Sequence, residues 1–574
     1  MQIRRKCSAA QLLLLVCASS LSAEDLLVTS LPPGRYGGDL VVAERSEPKV
    51  LNPVIAVDSL SREVIGLMMA DLVHINRESQ RTEPALARSV DISEGGRRFI
   101  VHLRRGLRFS DGHPFDADDV LFSFQVYLDE NIHSPQRDLL IIGGKPVSLT
   151  KQDQYTVAFA FAQPYGPGER LFDGFPILPR HLLIGPYKEG KLNKSWGLNM
   201  TAGEFAGLGP FRYKEYVPGQ RLVVERNPYY WKQDSARQRL PYLNRIIFEY
   251  VGNEDAQVLR FQSGDADIIS RISAANFETL SKQANGVRRL IDAGPSLEYT
   301  FLFFNLNDLS NKSLPQIESK QGWFRDLSFR RAVSMLIDRQ SIDRLVYAGR
   351  AAPISTHVTP GNKLWASSRV TPVSRSLETA RSLLASAGFS WNAGGKLIDG
   401  AGRPVGFSIV TNTGNNERLQ MATMIQQDLE QAGITVRVVS LEFRSLLDRL
   451  MTTFNYEACV LGLASGDVDP GSEMSVWPSD GSTHLWDLSK SGLKSGWQME
   501  IDHLMASQMR STDRAERKRM YDRVQELIAG NLPIIPLVSP DVLAGAKAKL
   551  KNFSPAVLLP YVLWNIEELY WSEQ

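Results

Sequence analysis

Between residues 405 and 470 the apolar positions change period repeatedly, and this restricts the fold more than any other feature. Residues 407–411 read as a strand. Ala422, Ile425, Leu429 and Ala432 then recur at offsets of three and four, the spacing of a helix, and Gly433 ends it. Ile434, Val436 and Val438 alternate as a second strand. Leu446, Leu447 and Leu450 mark another helix, and Ala458, Val460 and Gly462 a third strand. A βαβαβ succession demands a parallel sheet with helices on its faces, so the fold class is α/β. Ligands of such sheets sit beyond the carboxyl ends of the strands, here the polar loops 412–416 and 462–470.

The 574 residues leave room for about three or four domains. Residues 91–108 alternate around Gly95-Gly96 as a hairpin, with Phe99, Val101 and Leu103 on one face. Asp116, Asp118 and Asp119 then open a helix through Val120, Phe122 and Phe124, as the helix dipole favours. Strands are expected at 156–161, in several runs across 209–249, and at 299–305, and a helix at 255–264. Composition shifts near Tyr299 toward helices and βαβ units, which places a domain boundary there.

Arg4, Arg5 and Lys6 precede an apolar run at 12–16 and then small residues, the layout of a secretory leader. That run is far shorter than the ~20 residues of a membrane span, so cleavage after Ser22 or Ala23 and a periplasmic location are expected. Lipid anchoring at Cys17 is the less favoured alternative, because Val16 stands where a lipobox has a small residue. Lys and Arg number 65 against 63 Asp and Glu, and the leader removes three of the cations, so no basic field exists for a nucleic-acid partner. Once the leader is gone, Cys459 is the single cysteine and no internal disulfide can form. The eight histidines show no metal-ligand spacing, and no Walker A, GxSxG or GxGxxG motif occurs, so no cofactor is expected.

Five stretches taken together resemble the family 5 extracellular solute-binding proteins of bacterial ABC importers, the oligopeptide- and dipeptide-binding group. They are PALARSVDISEGGRRFIVHLRRGLRFSDGHPFDADDV (84–120), GPFRYKEYVPGQRLVVERNPYYW (209–231), FQSGDADI (261–268), FRRAVSMLIDRQSI (329–342) and ETARSLLASAGF (378–389). The resemblance implies a two-lobed periplasmic-binding-protein fold with two crossing strands and an extra inserted subdomain. The first lobe would take residues 24–68, 200–304 and 533–574, the insertion 69–199, and the second lobe 305–532, with crossings at 299–305 and 532–538. It further implies a monomer that captures a short peptide between closing lobes and hands it to a membrane permease.

Carried over residue by residue, the resemblance implies that the ligand backbone pairs with Glu47, Pro48 and Lys49 and with Gly462, Leu463, Ala464 and Ser465. Aligned on Pro470, the family's amine-anchoring Asp falls on Gly466, which leaves Asp467 or Asp469 to meet a ligand ammonium. The other reading of these two is a turn in which Asp caps backbone donors, as Asp469-Pro470 favours. Trp477 and Trp486 either wall a side-chain pocket or pack in a core. Alternative ligands are an oligosaccharide or a metal or haem chelate. An exported hydrolase using Asp467 and Asp469 as a carboxylate pair is the reading from a different class.

Overall fold

The computed structural model describes residues 24–283, 286–489 and 494–572; the leader, its cleavage point and Cys17 lie outside the described residues. We number the strands of its two larger sheets in chain order. The first lobe opens with β1 (Asp39–Glu44) and helix α1 (Ser59–Met68), which Asp58 caps by accepting from the Ser61 N–H. An antiparallel sheet follows, β2 (Ala87–Ser93), β3 (Arg98–Leu103), β4 (Ser148–Asp153) and β5 (Thr156–Ala160), in the order β2-β3-β5-β4. It carries helix α2 (Ala117–Leu128), which begins with a capping box between Asp116 and Asp119.

The chain returns to the first lobe in β6 (Phe211–Val217), β7 (Arg221–Arg226), β8 (Arg245–Tyr250), α3 (Glu254–Ser263) and β9 (Ile268–Ser270). β8 and β9 run parallel to β1 on either side of it. Then β10 (Arg288–Pro295) and β11 (Glu298–Phe304) follow almost without a break. The second lobe adds β12 (Ala351–Pro353), β13 (Gly406–Asn412), α4 (Asn416–Glu430), β14 (Thr435–Leu441) and β15 (Ala458–Ala464). Helix α5 (Arg514–Asn531) leads into β16 (Ile535–Lys547). β13 is parallel to both β14 and β15, as the apolar periods of 405–470 require.

β16 belongs to both lobes. Ile535–Val538 pairs with β11, residues 538–540 with β12, and the remainder with β10 and β9, so one twelve-stranded sheet runs through the molecule. Pro536 has no N–H to give the ladder, and the register with β11 shifts between Thr300 and Phe301, opposite it. Both crossings therefore differ from the expected positions. β11 lies wholly in the second lobe, paired along its length with β15, and the chain passes between lobes at Ser296 and Leu297. The return passage lies at Ser539 and Pro540, where Ser296 N–H donates to the Pro540 carbonyl (2.9 Å), and not at 532–538.

The cores explain why β11 reads as an unbroken apolar run, EYTFLFF: a strand covered on both faces alternates between two cores and exposes neither set. Leu302 and Phe304 pack with Phe407, Ile425 and Leu429, while Tyr299, Phe301 and Phe303 pack with Trp477, Trp486 and Tyr521. Trp477 and Trp486 are thus core side chains, as is Cys459. The inserted subdomain shares one continuous core with the first lobe: Phe99, Phe124 and Phe159 belong to the same cluster as Phe211, Ile246 and Phe248.

Candidate ligand-binding cleft

A cleft of about 640 Å³ lies between the lobes, floored by residues 540–543 of β16. The end of β1 and the start of α1 bring Glu44, Asp58 and Glu63 to one wall, joined by Arg271 after β9. β11 and the N-terminus of α4 bring Glu298, Thr300 and Arg418 to the other. Seven carboxylates and four arginines line the cleft, against two aromatic side chains, Tyr347 and Tyr561. Such a wall recognises charge more than it stacks rings.

Burial and the neighbouring charge of Glu44 push the Glu63 carboxyl well up. Burial also raises Glu44, against the opposing pull of Arg271 and Arg45. Raised this way, Glu63 keeps its proton near neutral pH, and a cation arriving beside Glu44 and Glu63 would favour releasing it. Arg271 itself stands over the Tyr561 ring, 6.0 Å from its centroid. On the opposite wall Arg418 donates to the Asn412 side chain (3.1 Å) and to Glu298 (3.4 Å). A Cβ on Gly462 would stand 2.6 Å from Arg418 Nη2 and 3.1 Å from Glu298 Oε1, so glycine is what lets this guanidinium lie against β15.

The expected site residues divide. Gly462, Leu463 and Ala464 form the end of β15, paired with β11 on one side; β13 pairs with β15 only at Ala458 and Cys459, leaving the other edge unladdered toward Arg418. Ser465 donates its N–H to the Leu297 carbonyl (3.2 Å) and its hydroxyl to Glu473 (2.7 Å). Glu47 turns away from the cleft, accepting from the Tyr216 hydroxyl and from Gly219 N–H. Pro48 is buried and has no N–H, and Lys49 N–H is taken by the Ser61 hydroxyl (2.8 Å), so this tract has little donor capacity.

Asp467 and Asp469 do not stand ready for an ammonium, which corrects the expectation placed on them. Asp467 holds Arg170 of the inserted subdomain, Nε to Oδ2 at 2.8 Å with a second bond from Nη2 to Oδ1. Asp469 takes a two-pronged bond from Arg517 (2.9 and 2.6 Å), with both side chains about 5% exposed or less, and caps Gly471 N–H. The local-cap alternative describes Asp469. With both carboxylates committed, the hydrolase reading loses its pair.

Glu44, Glu63, Glu298 and Arg418 were not singled out by sequence. Glu63 had a faint signal, a carboxylate at the edge of the apolar stripe Leu60, Val64, Leu67; Arg418 had none, because its partners come from other elements. Among the described residues, no group of His, Cys, Asp and Glu could hold a metal ion, and no helix is long and apolar enough to cross a membrane.

The model of the bacterial extracellular solute-binding proteins, family 5, matches residues 81–484. The chain belongs to this family. It is 26% identical over 539 residues to a probable ABC transporter-binding protein of Deinococcus radiodurans, covering 90% of this chain and 89% of that one. It is 25% identical over 534 residues to the oligopeptide-binding protein AppA of Bacillus subtilis, covering 92% and 90%. The structure of AppA in complex with a nonapeptide superposes with a TM-score of 0.69 over 94% of this chain and all of that one, at 24% identity. Family 5 members are solute-binding proteins, and the two-lobed architecture with its interlobe cleft is the fold of these neighbours.

Proposed function

We propose that this protein is the periplasmic binding component of an ABC importer and captures a short, free-amine peptide in the interlobe cleft. The observation that carries the reading is the charged lining: both signs stand on both walls, Glu44, Glu63 and Arg271 on one and Glu298 and Arg418 on the other, across a cavity with two aromatic rings. A zwitterion matches both, its ammonium toward Glu44 and Glu63 and its carboxylate toward Arg418. The peptide-binding relative AppA supports the same ligand class. Ligand backbone pairs with the unladdered edge of Gly462–Ser465 and, through carbonyls, with Glu47–Lys49. The leader is cleaved near Ala23, and the mature chain acts as a monomer before a membrane permease.

Native mass spectrometry of freshly purified protein identifies the carried ligand. Calorimetry with that peptide and its N-acetylated twin then tests the anchor, with Glu63→Gln beside the parent. Without the ammonium the Glu63 carboxyl stays protonated instead of ion-paired, so acetylation is expected to weaken binding by roughly tenfold or more. A co-purified sugar, or equal affinity for the two peptides, rejects this reading.

A further inference from the structure

The inserted subdomain also touches the second lobe, at a junction that neither the crossing strands nor the cleft requires. The hairpin of Val73–Ile75 and Thr82–Pro84 ends in Gln80, fully buried and held at φ +61°. Its Nε2 donates to the Gly361 carbonyl (2.6 Å) and its Oε1 accepts from Lys363 N–H (3.0 Å). Arg170 binds the Gln80 carbonyl (2.9 Å) with one arm and Asp467 with the others. The receiving loop rests on the crossing itself, because a Cβ on Gly361 would stand 2.1 Å from the Pro295 carbonyl oxygen. Asn362 in turn donates to the Val468 carbonyl (2.9 Å), which ties this loop to the one that follows β15.

We propose that Gln80 and Arg170 are closure-determining residues, which hold the lobes together in the ligand-free protein and position the loop after β15 at the cleft. Three features support this. A glutamine in the left-handed region persists only where its surroundings over-determine it; here the Asn76 carbonyl and Arg170 hold its backbone from within the subdomain, and Gly361 and Lys363 hold its side chain from the other lobe. The groups at the junction are almost all polar, and water replaces their partners when the lobes part, which makes the contact reversible. Asp467 sits three residues after Ala464, so breaking its bond to Arg170 frees the wall that the ligand reads. Apparent affinity scales with the closed fraction, so these positions tune binding without touching the ligand.

The test uses the mature protein without added ligand. Dyes on Leu259→Cys in the first lobe and Met499→Cys in the second report lobe separation; both positions are exposed, and the native Cys459 is buried and does not label. Single-molecule energy transfer is compared for the parent, Gln80→Ala, and Arg170→Leu combined with Asp467→Leu, the last removing both charges so that neither is stranded. The expected result is a closed population in the parent that falls about tenfold in both variants, with an unchanged melting temperature in the leucine pair. A parent with no closed population, or variants with the parent's distribution, overturns the proposal. Both readouts are independent of which solute the cleft takes, so failure to bind peptide rejects the proposed function and leaves this inference standing.

Discussion

The inserted subdomain meets its two neighbours in opposite ways. Toward the first lobe the boundary disappears into one apolar core that runs from Phe124 and Phe159 to Phe211 and Phe248. Toward the second lobe, among the described residues, Ile75 is the one side chain of the subdomain in the facing core, and the other contacts are polar: Gln80 with Gly361 and Lys363, Arg170 with Asp467, and Gly166 N–H donating to the Met509 carbonyl (2.6 Å). Apolar surface exposed to water costs about 25 cal/mol per Å², whereas a hydrogen bond exchanged for water costs little. The first junction is therefore permanent and the second separable. Lobe motion should carry the subdomain with the first lobe as one body.

Breaking the permanent junction gives the largest effect. Trp196 packs at this seam: its ring lies 4.5 Å from Phe205, its indole N–H donates to the Glu204 carbonyl (2.7 Å), and its own carbonyl accepts from Leu51 (3.1 Å). Trp196→Ala leaves a cavity and an orphaned carbonyl, and about 3 to 5 kcal/mol of stability is lost. Denaturant unfolding measures it. Because the seam is inside one core, subdomain and first lobe melt together in the variant; separate transitions would show that the core is not shared.

Next come the two aspartates of the loop after β15, one deeply buried with its arginine and one less so. Asp469 and Arg517 are buried together in the second lobe, with Arg517 also donating to the Gly166 carbonyl of the inserted subdomain (3.1 Å), and Asp469→Asn takes the carboxylate from the guanidinium at a cost of about 3 kcal/mol. Asp467 and Arg170 are more exposed, at 24% and 12%, and span the separable junction. Asp467→Asn is expected to cost less than Asp469→Asn, because water reaches this pair more readily. Thermal melts of the two variants side by side check the contrast, and equal losses would make the junction as structural as the core.

How much of this was legible beforehand follows the same division. The βαβαβ segment was readable because local apolar period alone fixes strand, helix and parallel sheet, and Ala422, Ile425 and Leu429 are all buried as their spacing requires. Local period carries no information on where a long strand changes lobe. β16 was read only as far as 538, yet the strand runs on through Pro540 to Lys547. The roles of Asp467 and Asp469 were misread for a different reason. Their partners lie 297 and 48 residues away, and no spacing rule reaches an arginine that the fold alone brings near.

The last effect concerns pH, and it sets the separable junction against the permanent seam. His357 lies just before the loop that receives Gln80, 2% exposed, with Nε2 and the Tyr521 hydroxyl 3.0 Å apart and its ring 4.1 Å from Trp477. Burial lowers its pKa from 6.5 to about 3. Between those values the unfolded chain binds a proton that the folded chain refuses, so stability is fully present above pH 6.5 and drains as pH falls toward 3. At pH 5 the loss from this one group is on the order of 2 kcal/mol. This group's penalty falls on the second lobe, near the receiving loop, while His74 in the subdomain's hairpin, likewise lowered by burial to about 3, puts a second one on the subdomain's side of the junction. Acid should therefore loosen the junction from both sides while the seam at Trp196 holds. Hydrogen exchange at pH 5 and pH 7 measures this: protection is expected to drop across 356–363 and around Tyr521 before it drops at 196–211. In His357→Gln, which carries no titrating group, the difference between the two pH values should shrink. Uniform loss across both regions, or no change in the variant, would place the acid sensitivity elsewhere.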